Sequence, residues 1–279
     1  MDCNYIDWNE VWKQKYEKNI KSRGIGDCAS IWDSKEKAKG FLARSKNNPD
    51  RIREFVDLLG PDKECSILDV GAGPGTLAVP LAELSGHVTA VEPSKGMADV
   101  MADYAAERGV SNLDIVRKKW EDVDPGMDLK ESYDIVFASH SLGMPDIRES
   151  IEKMISVASG KICLFWFAGI TAWEQRMTDL WPDLYKKEYS CGPKADVLFN
   201  LLYSMNLYPN VEPGLFTSDS VYPDYDTAFH DFKEQFKLST PEQESILNNY
   251  LKKSLVKENC HFLFPGVTTG IRLWWEVER

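Results

Sequence analysis

The run Ile67-Leu68-Asp69-Val70-Gly71-Ala72-Gly73-Pro74-Gly75-Thr76 leaves few folds open to this chain. A short apolar strand feeds a glycine-rich turn, and a helical pattern from Thr76 to Leu84 follows it. Glycine lets the backbone turn sharply where a strand ends, and lets a ligand approach where a Cβ would stand. In an open sheet, the carboxyl ends of the strands are where ligands bind.

The rest of the chain fits that beginning. Further strand patterns fall at His87 to Val91, Leu113 to Val116, Tyr133 to Ala138 and Lys161 to Phe167. Helical stretches separate them, from Lys95 to Arg108 (with Met97, Val100, Met101, Tyr104 and Ala105 on one face) and from Ile147 to Ala158. Strands alternating with helices imply a parallel sheet covered on both faces.

The flanks read differently. Trp8, Val11, Trp12 and Tyr16 make an aromatic helical stripe, Ile31 and Trp32 open a second segment, and Ile52, Phe55, Val56 and Leu59 give a third that Gly60-Pro61 ends. Residues 1–60 are thus expected to form an N-terminal helical extension or lid, and 61–279 the core. After residue 170 the alternation is interrupted. Thr171 to Tyr189 reads as a helix kinked or broken at Pro182, and Ala195 to Met205 as a helix apolar nearly all round, hence buried. Leu207 to Phe216 reads as an extended segment broken by Pro209 and Pro213. Thr240-Pro241-Glu242-Gln243 has the form of a capped helix start, and Thr268 to Glu278 that of a final strand. A helical, substrate-covering insertion is expected at about 171–265.

Composition narrows the partners. The 279 residues carry a formal charge of −11, which repels phosphate backbones, so nucleic acid is not expected as a substrate. The basic cluster Lys35, Lys37, Lys39, Arg44 and Lys46 is interleaved with Asp33, Glu36 and Asp50 and reads as a solvated helix face. The longest apolar run, Ile162 to Ile170, is too short to span a bilayer. Met1 to Tyr5 is polar and acidic rather than signal-like, so a cytoplasmic protein without a membrane anchor is expected. Cys3, Cys28, Cys65, Cys163, Cys191 and Cys260 form no CxxC pair and no zinc spacing, so no metal site is read, and Cys65 and Cys163 read as buried thiols.

A GxG turn alone also suits dinucleotide enzymes. Here Thr76 stands where their third glycine would be, Pro74 removes an N–H from any pyrophosphate cradle, and the turn comes about 70 residues into the chain. In Asp69, Gly71, Gly73 and Gly75 the chain resembles the class I S-adenosylmethionine-dependent methyltransferases, over roughly residues 65–170. The resemblance implies a seven-stranded, mostly parallel Rossmann-like α/β sheet with helices on both faces. It implies S-adenosyl-L-methionine as cofactor and S-adenosyl-L-homocysteine as product. It also implies that Asp69 and the turn Gly71, Ala72, Gly73 and Gly75 hold the methionine end.

Glu92 lies 21 residues past Gly71, at the end of the second strand, where a carboxylate can accept from both ribose hydroxyls. Pro93, Ser94 and Met97 open the next helix, with Met97 placed to pack on the adenine face. Trp120, Glu121 and Asp122 follow the third strand, where the family often sets an acidic acceptor for the adenine amino group; a plain acidic loop is the alternative. Ser139, His140, Ser141 and Leu142 follow the fourth strand, where the family's turn borders cofactor and acceptor. They replace the Asn/Asp-Pro-Pro-aromatic tetrad of exocyclic-amine methylases. His140 is the candidate general base, or else it only lines the pocket. His87, His230 and His261 read as structural.

The expected reaction is in-line methyl transfer to a small, partly apolar acceptor, with contacts drawn from Trp8, Trp12, Trp32, Trp173, Tyr203 and Tyr222 by location. The competing readings are a protein or RNA methylase, an NAD-linked oxidoreductase and a catalytically silent cofactor-binding member of the fold.

Overall fold

The computed structural model describes residues 6–24, 29–217 and 219–277; Met1 to Tyr5, Cys28 and Glu278 lie outside the described residues. The chain opens with helices α1 (Trp8–Arg23), α2 (Lys35–Lys46) and α3 (Pro49–Leu59). It continues through β1 (Ser66–Val70), α4 (Ala78–Leu84), β2 (His87–Val91), α5 (Lys95–Glu107), β3 (Leu113–Val116), α6 (Pro125–Asp128), β4 (Tyr133–Ser139), α7 (Ile147–Val157) and β5 (Ala158–Phe167). Helices α8 (Ala172–Tyr185) and α9 (Ala195–Ser204) and strands β6 (Asn210–Thr217) and β7 (Ser220–Tyr222) come next. The chain closes with α10 (Tyr225–Gln235), α11 (Pro241–Ser254), β8 (Val256–Glu258), β9 (His261–Phe264) and β10 (Val267–Glu276).

Seven strands form one sheet in the order β3-β2-β1-β4-β5-β10-β6. The first five are parallel, and β10 runs antiparallel to both β5 and β6. Parallel strands covered on both sides must be apolar on both sides. Period-two alternation then sorts them between two cores. Leu68, Val70, Val136, Ala138, Ile162 and Leu164 pack with α1, α7 and α9. Ile67, Val88, Ala90, Ile135, Phe137 and Phe165 pack with α2, α3, α4 and α5. Asp69 falls on the second face, in register with Ala90 and Phe137.

The N-terminal segment is divided between the two faces. Trp12 is fully buried beside Trp166 and its indole donates to the Met144 carbonyl at 2.8 Å. Asn9 bridges α1 to Asp146 and to the Arg148 N–H at the start of α7. On the other face, α2 lies along α5. The basic cluster is not simply solvated: Lys35 pairs with Asp103 at 2.7 Å, and Lys46 lies over the Tyr104 ring near Glu107. These exposed pairs add little stability, but they fix the helix against α5.

Several expectations are revised. Pro182 does not break α8, which runs through it to Tyr185; one missing donor near a helix end is tolerated, and the Lys186 N–H closes the helix on the Pro182 carbonyl. Helix α9 buries one side only, for Tyr203 is 60% exposed. Pro213 does not interrupt β6, because β6 is the sheet's edge, where a strand position without N–H costs no ladder bond on its open side. Within 171–265, α9 and β6 belong to the main sheet and its cover. The remainder, α8, α10 and α11 with the small sheet β7-β9-β8, surrounds its own core of Leu180, Leu184, Phe232, Phe236, Leu247 and Leu251. That small sheet and α10 have no counterpart in the sequence reading. The capping box at Thr240 and Gln243 forms as expected.

Candidate functional site

The turn after β1 is tied to the end of β2: the Gly71 and Ala72 N–H groups both donate to the Val91 carbonyl, at 2.8 and 3.0 Å. Gly71, Gly73 and Gly75 all have left-handed backbone, at φ +77°, +57° and +80°. Two of them are hemmed in. A Cβ on Gly71 would stand 2.3 Å from Ser141 Cβ, and one on Gly75 would stand 2.6 Å from Met101 Cγ. Gly73 differs, with nothing within 4 Å of its Cβ position.

Glu92 is bound into this turn. Its Oε2 accepts from the Gly73 N–H and its Oε1 from the Ser94 N–H, both at 2.8 Å. Ser94 caps α5 by accepting from the Met97 N–H, and Met97 is buried behind it while Pro93 is half-buried. Burial raises the Glu92 carboxyl, with the charge of Asp33 adding to it. Asp69, 2% exposed at the end of β1, is pushed well above the usual carboxylate range by burial and then by Glu92. The carbonyls of Trp32 and Asp33 lie against Gly96, at 2.6 and 2.7 Å from where its Cβ would be. The N-terminal segment therefore rests directly on the first turn of α5. Nearby, the buried Thr76 Oγ1 has no hydrogen-bond partner among the described residues.

Residues 120–122 form a single helical turn. Glu121 and Asp122 are exposed. Trp120 is buried, its indole donates to the Ser150 carbonyl at 3.0 Å, and its ring belongs to the core shared with α7.

The turn after β4 is stitched to the glycine turn, since the Ser141 hydroxyl donates to the Val70 carbonyl. His140 adopts a left-handed φ of +57°, unusual for a non-glycine residue and frequent at functional sites. Its N–H donates to the Phe165 carbonyl at 3.0 Å, and Nδ1 lies 3.3 Å from Ser139 Oγ. The ring sits among Phe167, Phe216 and Phe55, at centroid distances of 4.8, 5.9 and 6.3 Å. Burial and then the charge of Arg51 push its imidazole down to about 4, so it is neutral at neutral pH. The Arg51 guanidinium lies over Phe216 at 4.4 Å and near Phe55 at 5.7 Å.

The structure thus brings Asp69, Gly71, Ala72, Gly73, Glu92 and Ser94 to one end of the sheet, with Ser139 and His140 on the adjacent turn. Of the aromatic residues named from sequence, Trp12 is core, Trp173 packs on Tyr189, Tyr203 is on the surface and Tyr222 bonds to Asp231. The rings beside His140 are others, Phe55, Phe167 and Phe216. The sequence signal for Phe55 was only a helical stripe, and Phe216 and Arg51 gave none.

Known proteins bear on this arrangement. Residues 67–159 match the family described as a methyltransferase domain. An uncharacterized protein of Haemophilus influenzae is 28% identical over 234 residues, covering 81% of this chain and 82% of its own. A protein-L-isoaspartate O-methyltransferase of Rhodopseudomonas palustris is 31% identical over 161 residues, 57% of this chain and 68% of its own. Two solved structures share the fold. One is a Bacillus halodurans C-125 protein assigned as a methyltransferase (TM-score 0.55, 14% identity, 82% of this chain and 99% of that one). The other is a plantazolicin methyltransferase in complex with a triazolic desmethylPZN analog and S-adenosylhomocysteine (TM-score 0.51, 13% identity, 96% and 99%). The chain belongs to the class I S-adenosylmethionine-dependent methyltransferase family. It is a methyltransferase, and S-adenosylmethionine is its cofactor. Among the described residues, no helix is long and apolar enough to cross a membrane.

Proposed function

We propose that this enzyme methylates a small-molecule acceptor, held beside the glycine turn against the cluster that His140 forms with Phe55, Phe167 and Phe216. The observation that carries this reading is the enclosure of His140 by rings from three separate segments, α3, β5 and β6. A site walled by aromatic side chains suits a compact, partly apolar ligand. The formal charge of −11 opposes a nucleic-acid acceptor.

The residues present fit the cofactor. Gly73 offers an open face where a ligand can approach the backbone, and, three residues on, the buried Thr76 Oγ1 has no hydrogen-bond partner among the described residues. Glu92, fixed by two backbone N–H groups, keeps lone pairs for a ribose diol. Asp69 and the turn Gly71 to Gly75 would hold the methionine end, and Pro93, Ser94 and Met97 would border the nucleoside. When bound, the cofactor would supply an electrophilic methyl on cationic sulfur, with a neutral thioether as the leaving group. The chain's own work is placement and exclusion of water. His140 is neutral and a weak base in this setting, so it orients the acceptor by hydrogen bonding, and any proton leaves by a route that does not store charge on the imidazole.

Two measurements test this. Calorimetric titration should show S-adenosylhomocysteine binding in the micromolar range while NADH and NADPH do not bind. Methyl-labelled cofactor, incubated with enzyme and a cell extract, should put label into the low-mass fraction. Label confined to protein or RNA would overturn the small-molecule reading, and NADH binding would overturn the site assignment.

A further inference from the structure

Arg51 is oddly placed for a residue with no task. It sits in the first turn of α3, behind Pro49 and Asp50, at the end of a helix where a cation is disfavoured by the macrodipole. It is half-buried, and burial works against its charge. Its neighbour Asp50 is near Arg53 instead, at 3.5 Å. Glu54 contributes attraction from the exposed side of the helix, but among the described residues no carboxylate forms an ion pair with Arg51. The guanidinium lies over the same two rings, Phe216 and Phe55, that flank His140. His140, neutral, cannot supply a counter-charge. A cation held at the wrong helix end, among rings and unpaired, is arranged to meet an anion that the protein does not provide.

We propose that the acceptor carries a carboxylate, received by Arg51, and a flat apolar body received by Phe55, Phe167 and Phe216. This deepens the small-molecule reading and rests on it. The planar guanidinium fork matches a carboxylate in bidentate geometry. One guanidinium balances one negative charge. A dianionic phosphate in the same place would leave charge uncompensated among aromatic rings, in a protein already carrying −11. Arg51 is then a specificity-determining residue, and it sets which end of the acceptor points away from the cofactor turn.

The test uses the full chain saturated with S-adenosylhomocysteine, titrated with benzoate, phenylacetate and cinnamate and with the carboxamide of each. The acids should bind about tenfold more tightly than their amides. Arg51→Gln, with its folding checked by thermal unfolding, should erase that preference. Acid and amide binding alike to the unaltered enzyme, or neither binding, overturns the proposal without recourse to any variant. So does a preference that survives in Arg51→Gln. Failure of the unaltered chain to bind S-adenosylhomocysteine would instead count against the methyl-transfer reading itself.

Discussion

The two halves of the site are built from different materials. On the cofactor side, backbone does most of the holding: N–H groups of Gly71, Ala72, Gly73 and Ser94 are all engaged, and one carboxylate, Glu92, is clamped by two of them. On the side proposed for the acceptor, side chains make the cluster, with Phe55 and Arg51 from α3, Phe167 from β5 and Phe216 from β6 around His140. The backbone donors are spent on the protein itself, so they fix the shape of the turn and the position of Glu92. The side chains around His140, by contrast, can be changed singly without unmaking the turn.

The largest effect should come from the glycines that are hemmed in. Gly71→Ala is expected to cost about 4 kcal/mol in unfolding free energy, from left-handed strain and the collision with Ser141 together. Urea unfolding measures it. Gly73→Ala should cost only about 1 kcal/mol, since only the strain applies, yet it should weaken S-adenosylhomocysteine binding. If Gly73→Ala bound S-adenosylhomocysteine as tightly as the unaltered chain, the open face of Gly73 would not be a ligand face.

Next comes the acceptor half. The imidazole of His140 is depressed from 6.5 to about 4, so the folded state binds fewer protons than the unfolded one. That contribution is fully present above pH 6.5 and is lost as pH falls toward 4, by about 3 kcal/mol at most. His140→Asn, a residue that tolerates left-handed backbone, should flatten the stability profile across that window. A profile unchanged by the substitution would remove His140 from the buried cluster.

A smaller effect sharpens the cofactor half. Glu92→Gln should weaken S-adenosylhomocysteine binding about 30-fold and also cost about 1–3 kcal/mol of stability, because its NH2 must face the buried N–H of Gly73 or Ser94. Calorimetry would show it, and an unchanged affinity would take Glu92 out of the ribose contact.

This division also explains what could be read from the residues in order. The cofactor half lies in one strand–turn–helix and the strand beside it, so Asp69, the glycines and Glu92 are close in sequence and carry spacing. The sheet was legible for the same reason: burial on both faces imposes apolar runs. Arg51, His140 and Phe216 are scattered over 165 positions and meet only because β6 docks at the sheet edge beyond β10. No local pattern records that. The small sheet β7-β9-β8 escaped because its strands are only three or four residues long, too short for alternation to show. Pro182 does not break α8 because a proline's cost depends on how near the helix end it falls.

Ser141 closes the account of how these halves coexist. Its side chain lies under Gly71 and its hydroxyl bonds the Val70 carbonyl, so the turns after the adjacent strands β1 and β4 are tied to each other. If donor and acceptor sit at these two turns as proposed, the gap between them is a property of strand spacing, insensitive to which acceptor is chosen. A lineage bearing this chain could exchange Arg51 or a ring for another residue and retune its chemistry to a new molecule. The distance over which the methyl travels would be inherited unchanged.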